Sequence, residues 1–408
     1  MKHKKHKRSS LRVVSRTSKK SSGTSSQPTA PSKAPVFQES ERSDPSARQA
    51  VLESAASLSS DGPLSSRRPT ADGRARAAAG RQIEINLGKA CNNACRFCSN
   101  GAVPPEEQAL VPIETISEEI RKAAWEGYDA LGFLGGEPTI RKDLPTIIEM
   151  GRRAGFGRIA LCTNGRRLRS PELLSNLIDA GLTRVTLSIH SHLPRIENWL
   201  CGRSSAYEQK MEAIDHLVAA LARGRLPHGF ALNTCIHGMN CEQLPDLAAF
   251  FRARGVGEIR FNLVRPEHLA VADPRLIPRL QRVTRAILRT IYWNEGRGFM
   301  RITFSDVPLC AYPSPLLASP ELLLRYSGES WDLDTQVVVQ RGEAGRDEFR
   351  WQDRRKERLK IHTDRCGSCA AVDRCEGPWI RSVELHGDGD LHPLRADPFL
   401  GKSTRGPR

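Results

Sequence analysis

Three cysteines stand within eight residues of this chain, in the stretch CNNACRFC that runs from Cys91 to Cys98. Thiolates are soft ligands that suit iron–sulfur clusters and zinc. A structural zinc or an ordinary iron–sulfur cluster takes four protein ligands, one more than this stretch offers. The spacing C-x3-C-x2-C fits three corners of one 4Fe–4S cluster and leaves one iron open. We therefore expect Cys91, Cys95 and Cys98 to hold a cluster whose free iron can bind a substrate or cofactor.

A second signature, GGEP, follows at 135–138. The glycines Gly135 and Gly136 let backbone groups approach a ligand closely. Glu137, before Pro138, can accept hydrogen bonds from an ammonium group. A lone GGEP could be a plain tight turn, but its position one β–α unit after the cysteine loop favours a site shared by both motifs.

The elements that would position these motifs alternate regularly. Short apolar runs of strand type lie at 82–87, 130–134, 158–162, 184–189, 230–236 and 258–264. Amphipathic stretches of helical period lie at 114–126, 143–154, 171–180, 206–223, 242–253 and 275–292. Six β–α units in strict alternation predict a parallel sheet with right-handed crossovers. This count is compatible with a partial barrel and with a doubly wound sheet.

Polar and glycine-rich segments follow the strands where each strand ends. The cysteine loop follows the first strand and GGEP the second, and TNG, HSH, HGMN and RPEH follow the next four. Barrels and open α/β sheets both place their sites at the carboxyl ends of the strands. We therefore expect the cysteines and GGEP to meet at one edge of the sheet.

Together the two motifs resemble those of the radical S-adenosylmethionine (radical SAM) enzymes. CNNACRFC matches their C-x3-C-x-aromatic-C signature, GGEP matches their second motif, and the resemblance extends over about 81–295. It implies an α/β fold, a partial (β/α)6 TIM-type barrel, with Cys91, Cys95 and Cys98 on a reducing 4Fe–4S cluster. It also implies S-adenosylmethionine (SAM) on the open iron, cleaved by one electron to methionine and a 5′-deoxyadenosyl radical that abstracts a substrate hydrogen.

The resemblance also implies contacts to SAM by further residues. Phe97, the aromatic residue before the third cysteine, would pack beside the adenine. The GGEP residues would face the methionine amino group: Gly135, Gly136, Glu137 and Pro138. Residues at the ends of later strands would face the ribose and the carboxylate: Thr163, Asn164, Ser188, Asn233 and Asn262.

A second cysteine group, C-x2-C-x5-C, is formed by Cys366, Cys369 and Cys375. It resembles the auxiliary-cluster extension called SPASM, or its shortened form twitch, although a zinc knuckle remains an alternative. Cys310 is the natural fourth ligand. Trp379 stands where a further cysteine would fall in the full SPASM pattern, so we expect one auxiliary 4Fe–4S cluster. Without Cys310 that cluster would have its own open iron.

The remaining cysteines and two histidines are interpreted as structural. Cys162 and Cys235, within strands, are expected to be small core residues. Cys241 precedes a helix, and Cys201 lies in a predicted loop near the site, where a redox or substrate-handling role is the alternative. His190 and His192 follow the fourth strand toward the site, and we favour satisfied loop histidines over a catalytic base.

The first 80 residues have a different composition. They are rich in Ser, Arg, Lys, Pro and Ala, and they carry 16 basic against six acidic side chains, or +10 of the formal +16. Such a segment buries too little apolar surface to offset its ordering entropy, so we expect disorder. A basic tail can bind nucleic acid, but a solvated extension is the favoured interpretation.

The expected organisation has four parts. These are a disordered tail at 1–80, a radical SAM core at 81–295, an auxiliary-cluster domain at 296–395 and a loose end at 396–408. The sequence has no apolar run of the ~18 residues that span a membrane and no signal peptide. With eleven cysteines, metal chemistry in a reducing cytoplasm is favoured over disulfides.

The leading functional hypothesis is a radical SAM enzyme that modifies a peptide or protein, and it rests on the resemblance of the auxiliary region. The runner-up is an oxidoreductase acting on a small molecule, such as a carbohydrate or a cofactor precursor. A zinc-binding module that holds nucleic acid is the alternative of another class. Either enzyme would need a one-electron donor such as flavodoxin or ferredoxin.

Overall fold

The computed structural model describes residues 80–327, 334–340 and 345–399. These residues belong to one compact unit. The predicted tail up to residue 79, and the chain end from residue 400, lie outside the described residues. Among the described residues, no helix has the length and apolar character needed to cross a membrane.

One nine-stranded sheet organises the described residues, in the order β7-β6-β5-β4-β3-β2-β1-β8-β9. The strands are β1 Arg81–Asn86, β2 Ala130–Leu134, β3 Arg158–Thr163, β4 Arg184–Ser188, β5 Phe230–Ile236, β6 Glu258–Leu263, β7 Arg301–Ser305, β8 Asp334–Gln340 and β9 Arg346–Arg350. All neighbouring pairs from β8 through β1 to β7 are parallel, and β9 alone runs antiparallel to β8. The six predicted strands are confirmed to within one residue at each end.

The helices lie between the strands and after them. They are α1 Ile113–Trp125, α2 Leu144–Arg153, α3 Pro171–Ala180, α4 Pro194–Cys201, α5 Ala206–Ala222, α6 Leu244–Ala253, α7 Leu280–Trp293, α8 Ser314–Leu317, α9 Pro320–Tyr326, α10 Trp351–Arg354 and α11 Ile380–His386. The six predicted helices correspond to α1, α2, α3, α5, α6 and α7. The last begins at Leu280 rather than at 275, because 274–276 form a separate 3-10 turn that starts with Pro274.

The strand order decides between the two predicted topologies. From β1 to β7 each strand lies beside the next one in the chain, without a reversal. Right-handed crossovers in one constant direction place every helix on the same face of the sheet, whereas a doubly wound sheet needs a reversal point. The fold is therefore the expected partial TIM-type barrel, with helices outside and an open concave face inside.

The alternation of burial along the strands shows which side chains line each face. In β3, Ile159 and Leu161 are buried in the main hydrophobic core, whereas Arg158, Ala160 and Cys162 are only half-buried. The buried set packs under the helices, so the half-buried set faces the concave side. By the same alternation Cys162, and Cys235 on β5, belong to the concave face. Both are therefore interior residues of the concave face rather than of the main hydrophobic core, because an apolar strand alone does not reveal which face its cysteine shares.

The sequence did not predict three strands, β7 to β9, or helix α4. Strand β8 lies in a stretch that reads as polar, yet Val337 and Val338 are buried where the strand pairs with β1. Strand β7 pairs with β6 at the opposite edge. The region after residue 295 thus starts by extending the barrel sheet on both sides, and the cysteine-rich part follows from about residue 360.

Candidate functional site

The GGEP turn at the end of β2 supports the cysteine loop through backbone hydrogen bonds. Gly136 N donates to Gly88 O at 2.8 Å, and Glu137 N donates to Ala90 O at 2.8 Å. A Cβ atom on Gly136 would lie 2.2 Å from Ala90 O, and one on Gly135, whose φ is +149°, would lie 2.6 Å from Gly88 O. Both glycines are therefore required by the close approach of the two loops.

Glu137 joins the ends of β2 and β3. Its side chain is buried, and its carboxylate accepts hydrogen bonds from the Thr139 hydroxyl and backbone, from the Thr163 hydroxyl at 2.6 Å and from Asn164 N at 2.6 Å. The expected contact with an amino group would have to use the lone pairs that these donors leave. The visible task of the carboxylate is to fix the geometry of two neighbouring loops.

Polar side chains from later loops hold the first half of the cysteine loop. Asn164 Nδ2 donates to Asn92 Oδ1 at 2.7 Å and lies 3.9 Å from Cys91 Sγ. The Asn92 carbonyl accepts from Arg166 Nη1 at 2.6 Å and from Arg203 Nε at 2.9 Å. No sequence pattern pointed to these two arginines, because each reaches the loop across more than 70 residues of chain.

The end of α4 holds the second half of the loop. Ala94 N donates to Cys201 O at 3.0 Å, and Arg96 N donates to Leu200 O at 2.9 Å. These are carbonyls that a helix leaves without an internal partner at its C-terminus. Cys201 was predicted in a loop, but it is the last residue of α4 and fully buried. The cysteine loop thus acts as the cap of this helix.

The three cysteines of the loop are free and half-buried. Burial raises the pKa of the Cys91 thiol, and Cys98 and Glu137 raise it further, so the first and third cysteines lie within electrostatic reach. Cys98 N donates to Cys95 O at 3.2 Å, which closes the turn between them. Three free thiols on one braced turn fit three ligands of a cluster.

Phe97 forms an aromatic shelf beside the cysteines. Its ring meets His190 edge-on, with centroids 4.7 Å apart and planes at 79°, and it lies 5.9 Å from the His237 ring. It belongs to a small apolar cluster with Ile196 and Leu200 of α4. The Phe97 side chain is buried, so an adenine would pack against the edge of its ring.

The histidines near the site are neutral supports. Burial lowers the pKa of His190 to about 4 and that of His237 to about 3. His190 Nδ1 accepts a hydrogen bond from Cys235 N at 3.1 Å, as a structural histidine would. His192 does not point toward the site as predicted, because its ring packs on Phe250 of α6, with centroids 5.8 Å apart.

The strand residues predicted to contact SAM share the concave face. Ser188 pairs in register with Asn233 on the next strand, and both are half-buried. Asn262 Nδ2 on β6 donates a hydrogen bond to Asn233 Oδ1. The three side chains therefore form one polar row across β4, β5 and β6. Thr163 is buried under the loop with Glu137 rather than in this row.

A charged group occupies the same concave face closer to the strand starts. Glu258 lies 2.7 Å from Arg184, 3.1 Å from Arg260 and 3.9 Å from Arg301. Burial, then Arg184 and Arg260, lower the pKa of Arg158, whose Nε has no hydrogen-bond partner among the described residues. Four arginines therefore surround one carboxylate and leave an excess of positive charge.

The four cysteines of the C-terminal region line one small pocket that opens to solvent. They are Cys310, Cys366, Cys369 and Cys375. A single zinc would need its four sulfurs about 2.3 Å from one point. Within the described residues, no three His, Cys, Asp or Glu side chains form a group that could hold one metal ion. Four thiols around one pocket offer the donor set of a four-ligand cluster.

Backbone N–H groups point at these sulfurs. Cys375 Sγ accepts from Gly377 N at 3.3 Å and from Leu309 N at 3.4 Å. Cys369 Sγ accepts from Leu394 N at 3.3 Å. Hydrogen bonds to sulfur are a usual feature of iron–sulfur sites. The four thiols and the N–H groups around them fit a cluster. Trp379, which stands where the full SPASM pattern has a further cysteine, is buried.

A buried charge network lies between this cavity and the barrel. Glu376 accepts from Arg355 at 2.8 Å and from Lys360 at 2.7 Å. Asp306, which follows β7 with φ +67°, lies 3.4 Å from Arg355 and 3.5 Å from Lys360. Since Glu376 follows Cys375 directly, these pairs fix the second cysteine group against the carboxyl end of the barrel.

Comparison with known proteins agrees with this geometry. Residues 85–251 match the sequence model of the Radical SAM superfamily. The chain is 34% identical over 180 residues to a GTP 3′,8-cyclase from Aquifex aeolicus, covering 43% of this chain and 53% of that protein. It is 38% identical over 190 residues to a probable GTP 3′,8-cyclase from Sulfolobus acidocaldarius, covering 46% and 58%. The chain spans about half the length of these curated relatives.

Solved structures with similar folds have lower identity. A structure of anSMEcpe with bound AdoMet aligns with a TM-score of 0.51 at 14% identity, over 79% of this chain and 90% of that one. Streptococcus suis SuiB bound to S-adenosylmethionine gives 0.51 at 14%, over 78% and 77%. These neighbours support the fold alone. Residues 85–251 are thus similar to the radical SAM domain, a domain type that uses a 4Fe–4S cluster and SAM.

Proposed function

We propose that this protein is a radical SAM enzyme whose catalytic 4Fe–4S cluster is held by Cys91, Cys95 and Cys98. The observation that carries the proposal is the braced turn, in which three free thiols are fixed by the GGEP loop on one side and by α4 on the other. Such a turn presents three sulfurs and leaves the fourth position of a cluster to SAM. When bound, the cluster supplies the electron that cleaves SAM and so produces the hydrogen-abstracting radical.

The chain's own residues would bind and orient SAM. Phe97 offers its rim to the adenine, and the backbone of Gly135 and Gly136 faces the methionine end. The polar row of Ser188, Asn233 and Asn262 offers hydroxyl and amide groups to the ribose and carboxylate. Glu137 and Pro138 would act indirectly, through the loops that they hold in place. The Glu137 carboxylate already accepts hydrogen bonds from Thr139, Thr163 and Asn164.

The second cysteine group would hold an auxiliary 4Fe–4S cluster with four protein ligands. Cys310 lines the same cavity as the other three cysteines, which supports its role as the fourth ligand. A cluster with four thiolates has no open iron, so its tasks would be electron transfer and support of the substrate face. A one-electron donor, such as a flavodoxin or a ferredoxin, would reduce the catalytic cluster.

For the substrate we favour a small anionic molecule over a peptide. The curated relatives quoted above are GTP 3′,8-cyclases, which makes a purine nucleotide the first candidate. The excess of arginine on the concave face supports an anion. Arg184 and Arg260 share the concave face with the polar row of Ser188, Asn233 and Asn262. A peptide remains the second candidate, on the resemblance of the cysteine-rich region.

The test is substrate-dependent radical chemistry. Anaerobically reconstituted full-length protein should contain roughly eight irons, as two such clusters require, and should release 5′-deoxyadenosine from SAM with dithionite. With GTP labelled with deuterium on the ribose, deuterium should appear in 5′-deoxyadenosine. Zinc without iron, or a fully loaded protein that never cleaves SAM, would refute the enzymatic proposal. Label transfer from a peptide but from no nucleotide would refute the substrate class alone.

Arg260→Ala tests the arginine group directly. The variant should raise KM for the anionic substrate by about tenfold, the effect of about 1.4 kcal/mol of lost binding, while substrate-free SAM cleavage stays unchanged. Arg254→Ala is the matched control, because Arg254 pairs with Asp215 on the helical surface. Equal effects of the two changes would place the substrate elsewhere.

A further inference from the structure

The outer side of the cysteine loop carries two arginines that lie against one tryptophan. The guanidinium carbon of Arg96 lies 4.6 Å from the centroid of the Trp199 ring, and that of Arg275 lies 6.0 Å from it. Arg96 Nε also donates a hydrogen bond to Trp199 O at 3.1 Å. Both arginines are exposed, and Trp199 is half-buried. Cation–π contacts of this kind fix the guanidinium groups on the aromatic ring, so this part of the surface is ordered and positively charged.

Two further arginines extend this surface along α4. Arg195 and Trp199 are four residues apart on this helix, and side chains at that spacing are neighbours on a helix surface. Arg203, just after the helix, donates to a backbone carbonyl in the first half of the cysteine loop at 2.9 Å. One carboxylate, Asp273, accepts two hydrogen bonds from Arg275, each at 2.8 Å. Four guanidinium groups and one carboxylate give a net charge of +3.

We call these residues the loop surface. They are Arg96, Arg195, Trp199, Arg203, Asp273 and Arg275. The loop surface lies on the opposite side of the cysteine loop from the site proposed for SAM, because Phe97 is buried beside His190 whereas its neighbour Arg96 is exposed. A protein that donates electrons is too large to enter the barrel. Its short approach to a cluster on the three cysteines is therefore across the loop surface.

The composition of the loop surface suits a brief contact between proteins. Arginine and tryptophan are enriched in protein–protein interfaces. Complexes that transfer electrons bury little area and are weak. Their formation therefore depends on attraction between opposite charges, which steers two proteins together and fixes their orientation. A positively charged surface around a half-buried tryptophan fits a partner whose own surface is acidic.

We propose that the loop surface is the docking site of an acidic one-electron carrier protein that reduces the catalytic cluster. The proposal rests on the proposed function, because it needs a cluster on the three cysteines of the loop. The carrier loses one electron and the cluster gains it, and no bond is formed or broken. The arginines attract the carrier and orient it, and Trp199 supplies the apolar centre of the contact.

The decisive variant is Arg195→Glu with Arg275→Glu in the full-length, anaerobically reconstituted protein. The probe is a flavodoxin with an acidic surface around its flavin. The readouts are its equilibrium binding, measured by calorimetry in the oxidised state, and the 5′-deoxyadenosine release that its reduced form supports. Affinity and kcat/KM for flavodoxin should both fall by about tenfold or more, since steering by opposite charges raises association rates by about 10–1,000-fold.

Two further measurements separate docking from damage to the protein. SAM cleavage driven by dithionite should stay at the parent rate, because this small reductant needs no docking site. The loss with flavodoxin should shrink in roughly 0.5 M salt, which screens charges within a few ångströms. Arg195→Gln with Arg275→Gln, which adds no acid next to Asp273, should show a smaller loss with the same dependence on salt.

Arg152→Glu with Arg153→Glu is the matched control. It makes the same change in net charge at the end of α2, where both arginines are exposed and lie within ion-pair distance of Glu149. Flavodoxin binding and use should stay near the parent values in this variant.

Four results would contradict these assignments. Equal losses in the two charge-reversal variants would assign the effect to total charge and overturn the docking site. Unchanged flavodoxin binding and kinetics in the Arg195 and Arg275 variants would overturn it as well. Binding of a single-stranded RNA that depends on these two arginines, with flavodoxin unaffected, would assign the loop surface to nucleic acid instead. Failure of the iron-loaded parent protein to cleave SAM with dithionite would overturn the proposed function itself.

Discussion

The two cysteine sites of this protein differ in how their ligands are brought together. At the barrel edge, three cysteines lie within eight residues of one loop, and backbone contacts from neighbouring elements fix that loop. In the C-terminal region, Cys310 comes from a segment more than 50 residues before the other three ligands, and the fold itself closes the set. In the proposed ligand sets, the first arrangement would leave one cluster position open, and the second would supply four thiolates.

The surroundings of the two sites also differ in polarity. The barrel loop faces a polar row and the charged group on the concave sheet, where a substrate can be oriented. The second cavity is lined, besides its cysteines, by apolar side chains such as Pro308, Leu309, Val372 and Leu391. Polar groups near the first site can act on a bound molecule, whereas the apolar wall of the second would shield the proposed auxiliary cluster. We infer that reactivity belongs to the first site and support to the second.

The largest expected effect comes from removing one ligand at each site. Cys95→Ala should lower SAM cleavage by more than about 100-fold, since losing a direct ligand exceeds the 10–100-fold loss typical of supporting residues. Cys310→Ala should keep SAM cleavage near the parent rate but change the EPR signal of the auxiliary cluster and lower product formation. Iron content and 5′-deoxyadenosine release measure both outcomes.

Each site then serves as the control for the other. If Cys310→Ala abolished SAM cleavage while the SAM-responsive EPR signal persisted, the division of tasks between the sites would be wrong. If the auxiliary signal did not change at all, Cys310 would not be a ligand, and that cluster would have its own open iron.

A smaller effect should come from the contact between GGEP and the cysteine loop. Gly136→Ala would place a Cβ atom 2.2 Å from Ala90 O, and backbone must move to relieve this. We expect a loss of about 1–3 kcal/mol in the free energy of unfolding, typical of overpacking, together with weaker SAM binding. Denaturant unfolding and equilibrium binding of SAM measure the two.

Gly157→Ala is the matched control, because a Cβ atom there meets nothing within 4 Å and the backbone is not left-handed. It should be neutral or stabilise by up to about 1 kcal/mol. The auxiliary cluster should keep its spectrum in both variants. If Gly136→Ala bound SAM as the parent does, the role assigned to the close approach of the two loops would be contradicted.

The sequence predicted the local parts of the site well and the distant parts poorly. The cysteine loop and GGEP carry their information in adjacent residues, and the six strands and six helices follow from hydrophobic period alone. The buried ion pair of Lys210 and Glu197 could not be found this way, since the sequence of a helix does not show that two charged side chains meet inside the protein. Strand β8 was missed for a related reason: its pairing with β1 buries residues of a stretch that is polar on average.

Acidification should lower the stability of the folded protein through its buried histidines. Burial lowers the pKa of His190 to about 4 and that of His237 to about 3, against 6.5 for an ordinary histidine. Between pH 6.5 and 4 the unfolded chain therefore binds more protons than the folded one, and stability falls as the pH falls, by about 1.4 kcal/mol per pH unit for each histidine. His190→Asn, whose Oδ1 can accept from Cys235 N as Nδ1 does, should reduce this slope, as measured by denaturant unfolding at pH 7 and pH 5.5. Equal slopes in the parent and His190→Asn would contradict the assignment of His190 as a buried, neutral group.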